Sequence, residues 1–212
     1  MKRLKISQNV IRRLPKYLRK LDDLSYNGTE RISSSELGKQ MGLTPSQIRQ
    51  DFSCFGEFGQ QGYGYNVETL REEISSILGM KRGFSVILVG VGNLGHALVE
   101  NFGFERHGFQ LRAAFDVRDD LVGTSLSGTP IYDVNTLPDF LKENEVDIAV
   151  LAVPRRIANS VADTVINGGV KAIWNFTNME LDIKDPGVLV ENIHFSDSLL
   201  VLSYYLAENI ED

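Results

Sequence analysis

The chain has 212 residues, 42% of them hydrophobic, and its 28 Asp and Glu against 22 Lys and Arg give a formal net charge of −6 at pH 7. This is enough apolar material for one or two domains with a buried core. One cysteine excludes an intramolecular disulfide, and no Cys/His cluster has metal-ligand spacing. No apolar run reaches the roughly 18 residues of a membrane-spanning helix, and the first residues lack a secretory signal, so we expect a cytoplasmic protein without a metal site.

Charge is distributed unevenly along the chain. Residues 1–82 contain 14 Lys and Arg and 9 Asp and Glu, a net charge of +5, whereas residues 83–212 contain 8 and 19, a net charge of −11. A basic segment on an acidic body suggests an N-terminal part that contacts nucleic acid. Ordinary scatter of charge over solvated surfaces is the alternative interpretation.

The basic segment contains two short predicted helices. Ser33 and Glu36 have the spacing of a capping box, and so do Thr44 and Gln47, with Pro45 at the first helical position. Two capped helices joined by a turn of about three residues are typical of a helix-turn-helix. The second helix has an apolar face and a polar face, which suits a recognition helix in the major groove of DNA.

A wing is predicted to follow the second helix. Residues 55–65 alternate aromatic residues with glycines around a Gln-Gln-Gly turn, which indicates a β-hairpin. We predict that DNA is contacted by the wing, the two capped helices and the helix ahead of them, at Arg12, Arg13, Ser34, Thr44, Ser46, Gln47, Arg49, Gln50, Ser53, Gln60, Gln61 and Tyr63. A helical module that binds another protein is the alternative.

Residues 90–95 form a G-x-G-x-x-G loop in the sequence context of a dinucleotide-binding fingerprint. The loop follows the apolar run 86–89, leads into a predicted helix, and is followed after a second apolar run by Asp116, 21 residues past Gly95. Gly90 permits the tight turn, Gly92 lets the backbone approach a pyrophosphate, and Gly95 lets the helix pack on the strand. The helix N-terminus offers N–H groups to the phosphates, and Asp116 would accept hydrogen bonds from the adenosine ribose. A glycine-rich turn that binds nothing is the alternative.

Strands and helices continue to alternate beyond Asp116. The sequence predicts a buried strand over 147–154, a helix over 156–165 and a strand over 172–176. Because ligands of such sheets bind at the carboxyl ends of the strands, we predict a dinucleotide site formed by Gly90, Val91, Gly92, Asn93, Leu94, Gly95, Asp116, Val117, Arg118, Ala152, Val153, Pro154, Asn175, Phe176 and Phe195.

The last predicted element is an apolar helix over 197–209. It carries more large apolar side chains than one small domain easily covers, so we expect it to contact a second subunit. Phe195, just before it, is placed to reach a nicotinamide ring.

The sequence does not favour an enzyme. A nicotinamide-dependent dehydrogenase normally needs a substrate-binding domain and an acid–base residue, but the extra length of this chain is taken by the helix-turn-helix. His96 and His107 are expected at the surface, and only His194 is well placed for a role in a site. We predict no catalytic residue.

A winged helix followed by a Rossmann domain and an apolar C-terminal helix resembles the Rex family of redox-sensing transcriptional repressors. The resemblance covers nearly the whole chain and rests on residues 48–53, 55–59, 62–65, 90–95, 152–154 and 202–204. It implies a homodimer that binds a two-fold DNA operator, senses NADH against NAD+, and releases the operator when NADH binds. It also implies that the C-terminal helix is exchanged between the two subunits.

Several positions depart from the commonest pattern of that family. The wing usually carries a basic residue where this chain has the Gln-Gln pair 60–61, and the recognition helix often has Lys or Arg at the position of Gln50. Many members have Tyr in place of Asn101 and Asp in place of His194, and Arg19 matches the basic partner of that Asp. Set against the resemblance, these departures leave two alternatives for this chain: a switch that is connected differently, or a weaker one.

We interpret the sequence as an α/β protein with a winged helix-turn-helix domain at 1–82, a Rossmann-fold parallel-sheet domain at 83–195 and a dimerisation helix at 196–212. The predicted function is transcriptional repression controlled by cytoplasmic NADH and NAD+. The alternatives are a NAD-dependent oxidoreductase with an accessory helical domain, and a DNA-binding sensor of another nucleotide such as CoA or NADP, whose 2′-phosphate Arg118 would suit.

Overall fold

The computed structural model describes residues 6–56, 58 and 63–208. The chain divides into two compact units between Lys81 and Arg82. Within the described ranges, we find no helix that combines the length and the apolar character needed to cross a bilayer.

The N-terminal unit is built from helices around a small apolar core. Its elements are α1 (Gln8–Tyr26), β1 (Arg31–Ile32), α2 (Ser34–Met41), α3 (Pro45–Ser53), β2 (Tyr65–Asn66) and α4 (Val67–Ile77). Helix α1 packs on α4, and α2 packs on α3. The core between them contains Leu14, Tyr17, Leu21, Leu37, Ile48, Phe52, Leu70 and Ile74. The two predicted helices of the helix-turn-helix are confirmed.

The two helix starts differ in how they are capped. Ser33 Oγ accepts the Glu36 N–H and the Glu36 carboxylate accepts the Ser33 N–H, each at 3.1 Å, which completes the predicted capping box. At α3, Thr44 Oγ1 accepts the Gln47 N–H at 3.2 Å, but the Gln47 side chain donates to Asp51. The second capping box is therefore only half formed.

The predicted wing falls mostly on residues 57 and 59–62, which lie outside the described residues. Of the remainder, residues 55, 56 and 58 form no strand, and β2 pairs antiparallel with β1. Gly64, with φ of +68°, permits this pairing, because a Cβ there would lie 2.6 Å from the carbonyl oxygen of Ile32. The hairpin itself stays a prediction.

The C-terminal unit is a doubly wound parallel sheet. Its elements are β3 (Phe84–Val89), α5 (Asn93–Asn101), β4 (Phe109–Asp116), β5 (Ser125–Leu126), β6 (Thr129–Asp133), α6 (Leu137–Glu143), β7 (Ile148–Leu151), α7 (Arg155–Asn167), β8 (Ala172–Asn175), β9 (Leu189–Asn192) and α8 (Phe195–Glu208). The strand order is β5-β6-β4-β3-β7-β8-β9, with only β5 antiparallel to its neighbour. The chain leaves β3 toward β4 on one side and returns to β7 on the other. This places the topological switch point, where such sheets bind ligands, between β3 and β7.

The central strands are apolar throughout because both faces of the sheet are covered. Along β3, Ile87 and Val89 belong to one buried cluster, whereas Val86 and Leu88 belong to the other. This is the period of two expected for a strand. The Rossmann-like parallel sheet predicted from these runs is confirmed.

The strands end earlier than predicted at two positions. Strand β7 ends at Leu151 and β8 ends at Asn175, so residues 152–154 form the turn into α7. Pro154, which has no N–H to give to a ladder, is the N-cap of α7.

Helix α8 corresponds to the predicted terminal helix as far as the described residues extend. None of its residues is buried. Its large apolar side chains, such as Leu199 and Leu200 at 66% and Tyr204 at 60%, are more than half exposed in the isolated chain. An apolar surface of this extent marks a contact surface.

Candidate functional site

The glycine loop lies at the switch point, between the end of β3 and the start of α5. Gly90 has φ of +97°, and its N–H donates to the carbonyl of Phe115 at 2.8 Å. A Cβ on Gly90 would lie 2.5 Å from the carbonyl oxygen of Ala152, and one on Gly95 would overlap the carbonyl oxygen of Gly90. The fold itself therefore requires glycine at both positions.

Gly92 is placed quite differently from these two glycines. Its φ is −67°, and a Cβ built on it meets no atom within 4 Å. It is the N-cap of α5 but has no side chain to cap the helix. The first N–H groups of α5 lack intrahelical acceptors and carry a partial positive charge, so this open turn can accept a phosphate.

Asp116 at the end of β4 is tied to the glycine loop. Its Oδ2 accepts the Val91 N–H at 2.7 Å, and its Oδ1 accepts the N–H groups of Val117 at 2.9 Å and Arg118 at 3.0 Å. Burial by itself would raise the pKa of Asp116, but the hydrogen bonds from Val91 and Arg118 outweigh burial and lower it. The carboxylate therefore stays ionised and holds the loop against β4.

The Arg118 side chain holds the loop from its other side. Its Nη2 donates to the carbonyl of Val91 at 2.6 Å, and its Nε lies 3.3 Å from Asp116 Oδ1. Both backbone polar groups of Val91 are thus bonded, the N–H to Asp116 and the carbonyl to Arg118. The loop has a defined shape that needs no ligand to impose it.

Residues 152–154 lie beside the glycine loop, where the sequence places one wall of the site. The N–H of Ala152 donates to the carbonyl of Val89 at 2.9 Å, and Val153 is buried. Pro154 follows at the exposed start of α7. These residues and the loop meet at the carboxyl ends of β3 and β7.

The side chain of Asn175 has partners within its own unit, and its predicted contact with a cofactor stays a prediction. It is 1% exposed, and its Nδ2 donates to the carbonyl of Met179 and to Asn192 Oδ1, each at 2.7 Å. Its Oδ1 accepts the N–H and the hydroxyl of Thr177 at 3.0 and 2.6 Å. The Asn175 side chain belongs to a buried, satisfied hydrogen-bond network, and this network shapes the end of β8.

Two aromatic rings lie close together after the ends of β8 and β9. The ring centroid of Phe176 lies 4.6 Å from that of Trp174 and 6.1 Å from that of Phe195. Phe176 is half-buried, whereas Phe195 is 63% exposed at the start of α8.

His194 has partners within its own unit. Its Nδ1 lies 3.2 Å from Asn178 Oδ1, and its Nε2 lies 3.5 Å from Glu180 Oε1. Asn178 is one of the described non-glycine residues with positive φ, at +56°. The imidazole ring thus links His194, directly before α8, to Asn178 and Glu180 in the segment after β8.

The polar face of α3 is exposed and partly organised by local hydrogen bonds. Ser46, Arg49 and Gln50 are exposed. Arg49 Nη1 donates to Ser34 Oγ at 3.0 Å, and the hydroxyls of Ser46 and Thr44 lie 3.0 Å apart. The Arg49 guanidinium is therefore oriented before any contact with DNA.

The remaining predicted DNA contacts surround α3. Ser53, whose hydroxyl donates to the carbonyl of Gln50 at 2.8 Å, and Arg12 are exposed. Tyr63 is 71% exposed, and its carbonyl accepts a hydrogen bond from Arg31 Nε at 3.1 Å. Gln60 and Gln61 lie outside the described residues.

Asp51 is fully buried on α3 and is not among the residues that the sequence predicts for a site. Its carboxylate accepts hydrogen bonds from Arg13 Nε at 2.6 Å, Arg13 Nη2 at 2.8 Å, the Tyr17 hydroxyl at 2.7 Å and Gln47 Nε2 at 2.8 Å. Burial would raise the pKa of Asp51, but these donors lower it. The signal in the sequence is the spacing of Arg13 and Tyr17, which puts both on one face of α1.

The Asp51 contacts bear on two of the predicted DNA contacts. Arg13 and Gln47 both donate to Asp51 from half-buried positions, and their contact with DNA stays a prediction. The bidentate pair with Asp51 raises the pKa of Arg13, and burial raises the pKa of Tyr17 most, followed by its hydrogen bond to Asp51.

Comparison with known families and curated proteins gives consistent matches over the whole chain. The family described as "CoA binding domain" matches residues 81–179, and the family described as "putative DNA-binding protein N-terminus" matches residues 5–53. A redox-sensing transcriptional repressor Rex from Caldicellulosiruptor saccharolyticus is 50% identical over 99% of this chain and 95% of its own length. The Rex repressor of Clostridium tetani is 49% identical over 99% of both chains.

Solved structures give the same result. RSP in complex with β-NAD+ and operator DNA matches with a TM-score of 0.90 and 45% identity, over 97% of this chain and 94% of its own. RSP in complex with β-NADH matches with a TM-score of 0.90 and 42% identity, over 97% of this chain and 96% of its own. RSP is described as a Rex-family repressor.

Proposed function

The chain belongs to the Rex family of redox-sensing transcriptional repressors, and we propose that it represses transcription from a DNA operator under the control of NADH and NAD+. In this proposal NADH releases the operator, whereas NAD+ competes for the same site and permits repression. The observation that carries the proposal is the open first turn of α5 at Gly92, at the switch point of a doubly wound sheet. Its named relatives are repressors and not enzymes.

The site residues divide between the parts of a dinucleotide. The pyrophosphate is assigned to the first turn of α5 at 92–94, because that turn combines open space with N–H donors. The adenosine ribose is assigned to Asp116 Oδ2, which accepts one hydrogen bond, from Val91, and has a second acceptor position. The adenine is assigned to the exposed apolar side chain of Val117. Residues 152–154, Phe176 and Phe195 are assigned to the nicotinamide end.

The contacts around Asp116 support a preference for NADH over NADPH. A 2′-phosphate would bring about −1.5 to −2 charges near an ionised carboxylate. Arg118 is the cation that would offset this charge, but its guanidinium is bonded to Val91 and Asp116. Binding of NADPH would therefore require Arg118 to leave the loop.

The exposed side of α3 is assigned to the major groove of the operator. Base edges are assigned to the recognition-helix side chains and phosphates to the residues around them, with contacts from Arg12, Ser34, Thr44, Ser46, Arg49, Gln50, Ser53 and Tyr63. A two-fold dimer would place two such helices about one helical turn of DNA apart, or a multiple of it.

The exposed apolar side chains of α8 support a homodimer, because a second subunit would cover them. We assign residues 1–82 to DNA binding, 83–195 to the dinucleotide and 196–212 to the dimer contact, in the cytoplasm. NADH then acts through its different affinities for two dimer shapes, one that fits the operator and one that does not.

An operator titration tests the proposal. A duplex selected from random sequence with the wild-type protein is titrated by fluorescence anisotropy in the presence of NADH, NAD+, NADPH or CoA. NADH should release the duplex, NAD+ should oppose that release, and NADPH and CoA should have much weaker effects. If CoA or NADPH releases the duplex and NADH does not, the protein is a sensor of another nucleotide. Oxidation of NADH by small carbonyl compounds would establish an oxidoreductase.

A further inference from the structure

The buried Asp51 carboxylate joins the recognition helix to α1. Asp51 and Gln47 lie on α3, whereas Arg13 and Tyr17 lie on α1. The carboxylate, with no exposed surface, receives four hydrogen bonds at 2.6–2.8 Å from these three neighbours. Four donors saturate the lone pairs of a carboxylate. Asp51 thus ties α3 to α1.

Arg13 has strong physical reasons to stay on Asp51 when DNA is present. Its bidentate pair uses Nε and Nη2, and the side chain is 24% exposed. A phosphate that captured the guanidinium would leave a buried carboxylate without its counter-charge, which is strongly unfavourable. The bidentate geometry is also specific to arginine, since lysine offers only a point charge.

We propose that Asp51 is a positioning residue for operator recognition, and that Arg13 and Gln47 act on DNA through Asp51 rather than by contacting it. The inference rests on the proposed function, because it concerns how α3 is aimed at a base sequence. It requires that breaking the cluster impairs binding to the operator while binding to unrelated DNA, which depends on surface charge, changes little.

Tyr17 offers the cleanest test because it is fully buried and cannot touch DNA. Tyr17→Phe removes only the hydroxyl that donates to Asp51 and keeps the ring against Phe52, whose centroid lies 4.9 Å away. Operator affinity should fall several-fold, with an unchanged affinity for a scrambled duplex of the same composition. Tyr26→Phe is the matched control, because Tyr26 lies on the same helix at 92% exposure and its loss should change neither affinity.

Arg13 variants separate positioning from phosphate binding. If Arg13 positions α3, both Arg13→Ala and Arg13→Lys weaken operator binding, and the salt dependence on scrambled DNA keeps its slope. If Arg13 contacts a phosphate, Arg13→Ala lowers that slope by about 0.9 per contact, and Arg13→Lys behaves like wild type. Asp51→Asn should weaken operator binding. Tighter binding of Asp51→Asn to both duplexes would overturn the inference, since it would mean that the freed Arg13 binds DNA.

Two controls keep the outcomes apart. Thermal unfolding and near-UV circular dichroism of each full-length variant establish whether it is folded. If Arg13→Ala or Asp51→Asn is not folded, Tyr17→Phe remains the decisive variant. If the wild-type protein selects no operator, the proposed function fails. If the wild type selects one and Tyr17→Phe binds it equally well, only the inference about Asp51 fails.

Discussion

Alanine at Gly90 and at Gly92 should separate folding from cofactor binding, although the two positions are two residues apart. At Gly90, φ is +97° and the added Cβ would lie 2.5 Å from the carbonyl oxygen of Ala152. A non-glycine residue in such a conformation costs about 1–3 kcal/mol, and the overlap adds to that cost. We expect the melting temperature to fall by about 2–4 °C for each kcal/mol lost.

At Gly92 the opposing effects on stability nearly cancel. Its φ of −67° suits alanine, and no atom lies within 4 Å of the added Cβ. Reduced freedom of the unfolded chain stabilises the protein by about 0.4–1 kcal/mol, whereas alanine is a poorer N-cap than glycine by a similar amount. The free energy of unfolding should therefore stay within about 1 kcal/mol of wild type. The methyl group occupies the proposed pyrophosphate space, so NADH affinity should fall by at least about a hundredfold, or about 2.8 kcal/mol.

On the same samples, differential scanning calorimetry measures the thermal stability and isothermal titration calorimetry measures the affinity for NADH. Gly92→Ala should melt like wild type, keep operator binding and no longer release the operator with NADH. The reasoning is refuted if Gly92→Ala binds NADH with wild-type affinity, or if it loses as much stability as Gly90→Ala. The first result would mean that the cofactor does not occupy the open space at Gly92, and the second would mean that an added methyl group does not fit there.

Four further predictions concern other residues. NADH should bind at least about tenfold more tightly than NADPH, about 1.4 kcal/mol by calorimetry, and Asp116→Ala should reduce that ratio; equal affinities in the wild type would contradict it. If Arg49 contacts a guanine edge, Arg49→Ala should lose about 1–3 kcal/mol of operator affinity and relax the preference at one symmetric base pair; uniform weakening on all sequences would identify a phosphate contact instead. Deletion of residues 196–212 should give monomers or aggregates by light scattering, with little operator affinity, and a truncated dimer that still responds to NADH would count against it. The donors to Asp51 hold its pKa below the ordinary value of 3.8, so its contribution to the free energy of unfolding should be full above about pH 4 and lost as the pH falls further. In denaturant titrations at different pH, Asp51→Asn should reduce this loss of stability at acid pH.

Patterns in the sequence predict those parts of the molecule whose structure depends on interactions between residues close together in the chain. The capping box at Ser33 and the glycine loop before α5 follow from residue type and spacing alone. Strand ends are harder to predict, because the run through Pro154 is apolar both in β7 and in the turn after it. The order of the strands in the sheet is also hard to predict, because it depends on pairing between segments far apart in the chain.

Polar side chains were the least predictable part of the site. Arg13, Gln47 and Asn175 belong to residue types found at binding surfaces, and the sequence does not show which side chains they bond to. Whether such a side chain bonds within the protein depends on partners that are distant in the chain, as Asp51 is 38 residues from Arg13. A buried carboxylate can be recognised only when the helices that supply its donors are brought together.

The bonds to both sides of Val91 also bear on how fast the repressor can respond. Since Asp116 and Arg118 already hold the glycine loop in shape, a dinucleotide that binds at the proposed site would meet a formed loop, and its arrival would not wait for this loop to order. Differences in affinity between NADH and NAD+ then reside mainly in how long each ligand stays. The residence time of NADH, and not its rate of capture, would set the delay before repression returns once NADH levels fall.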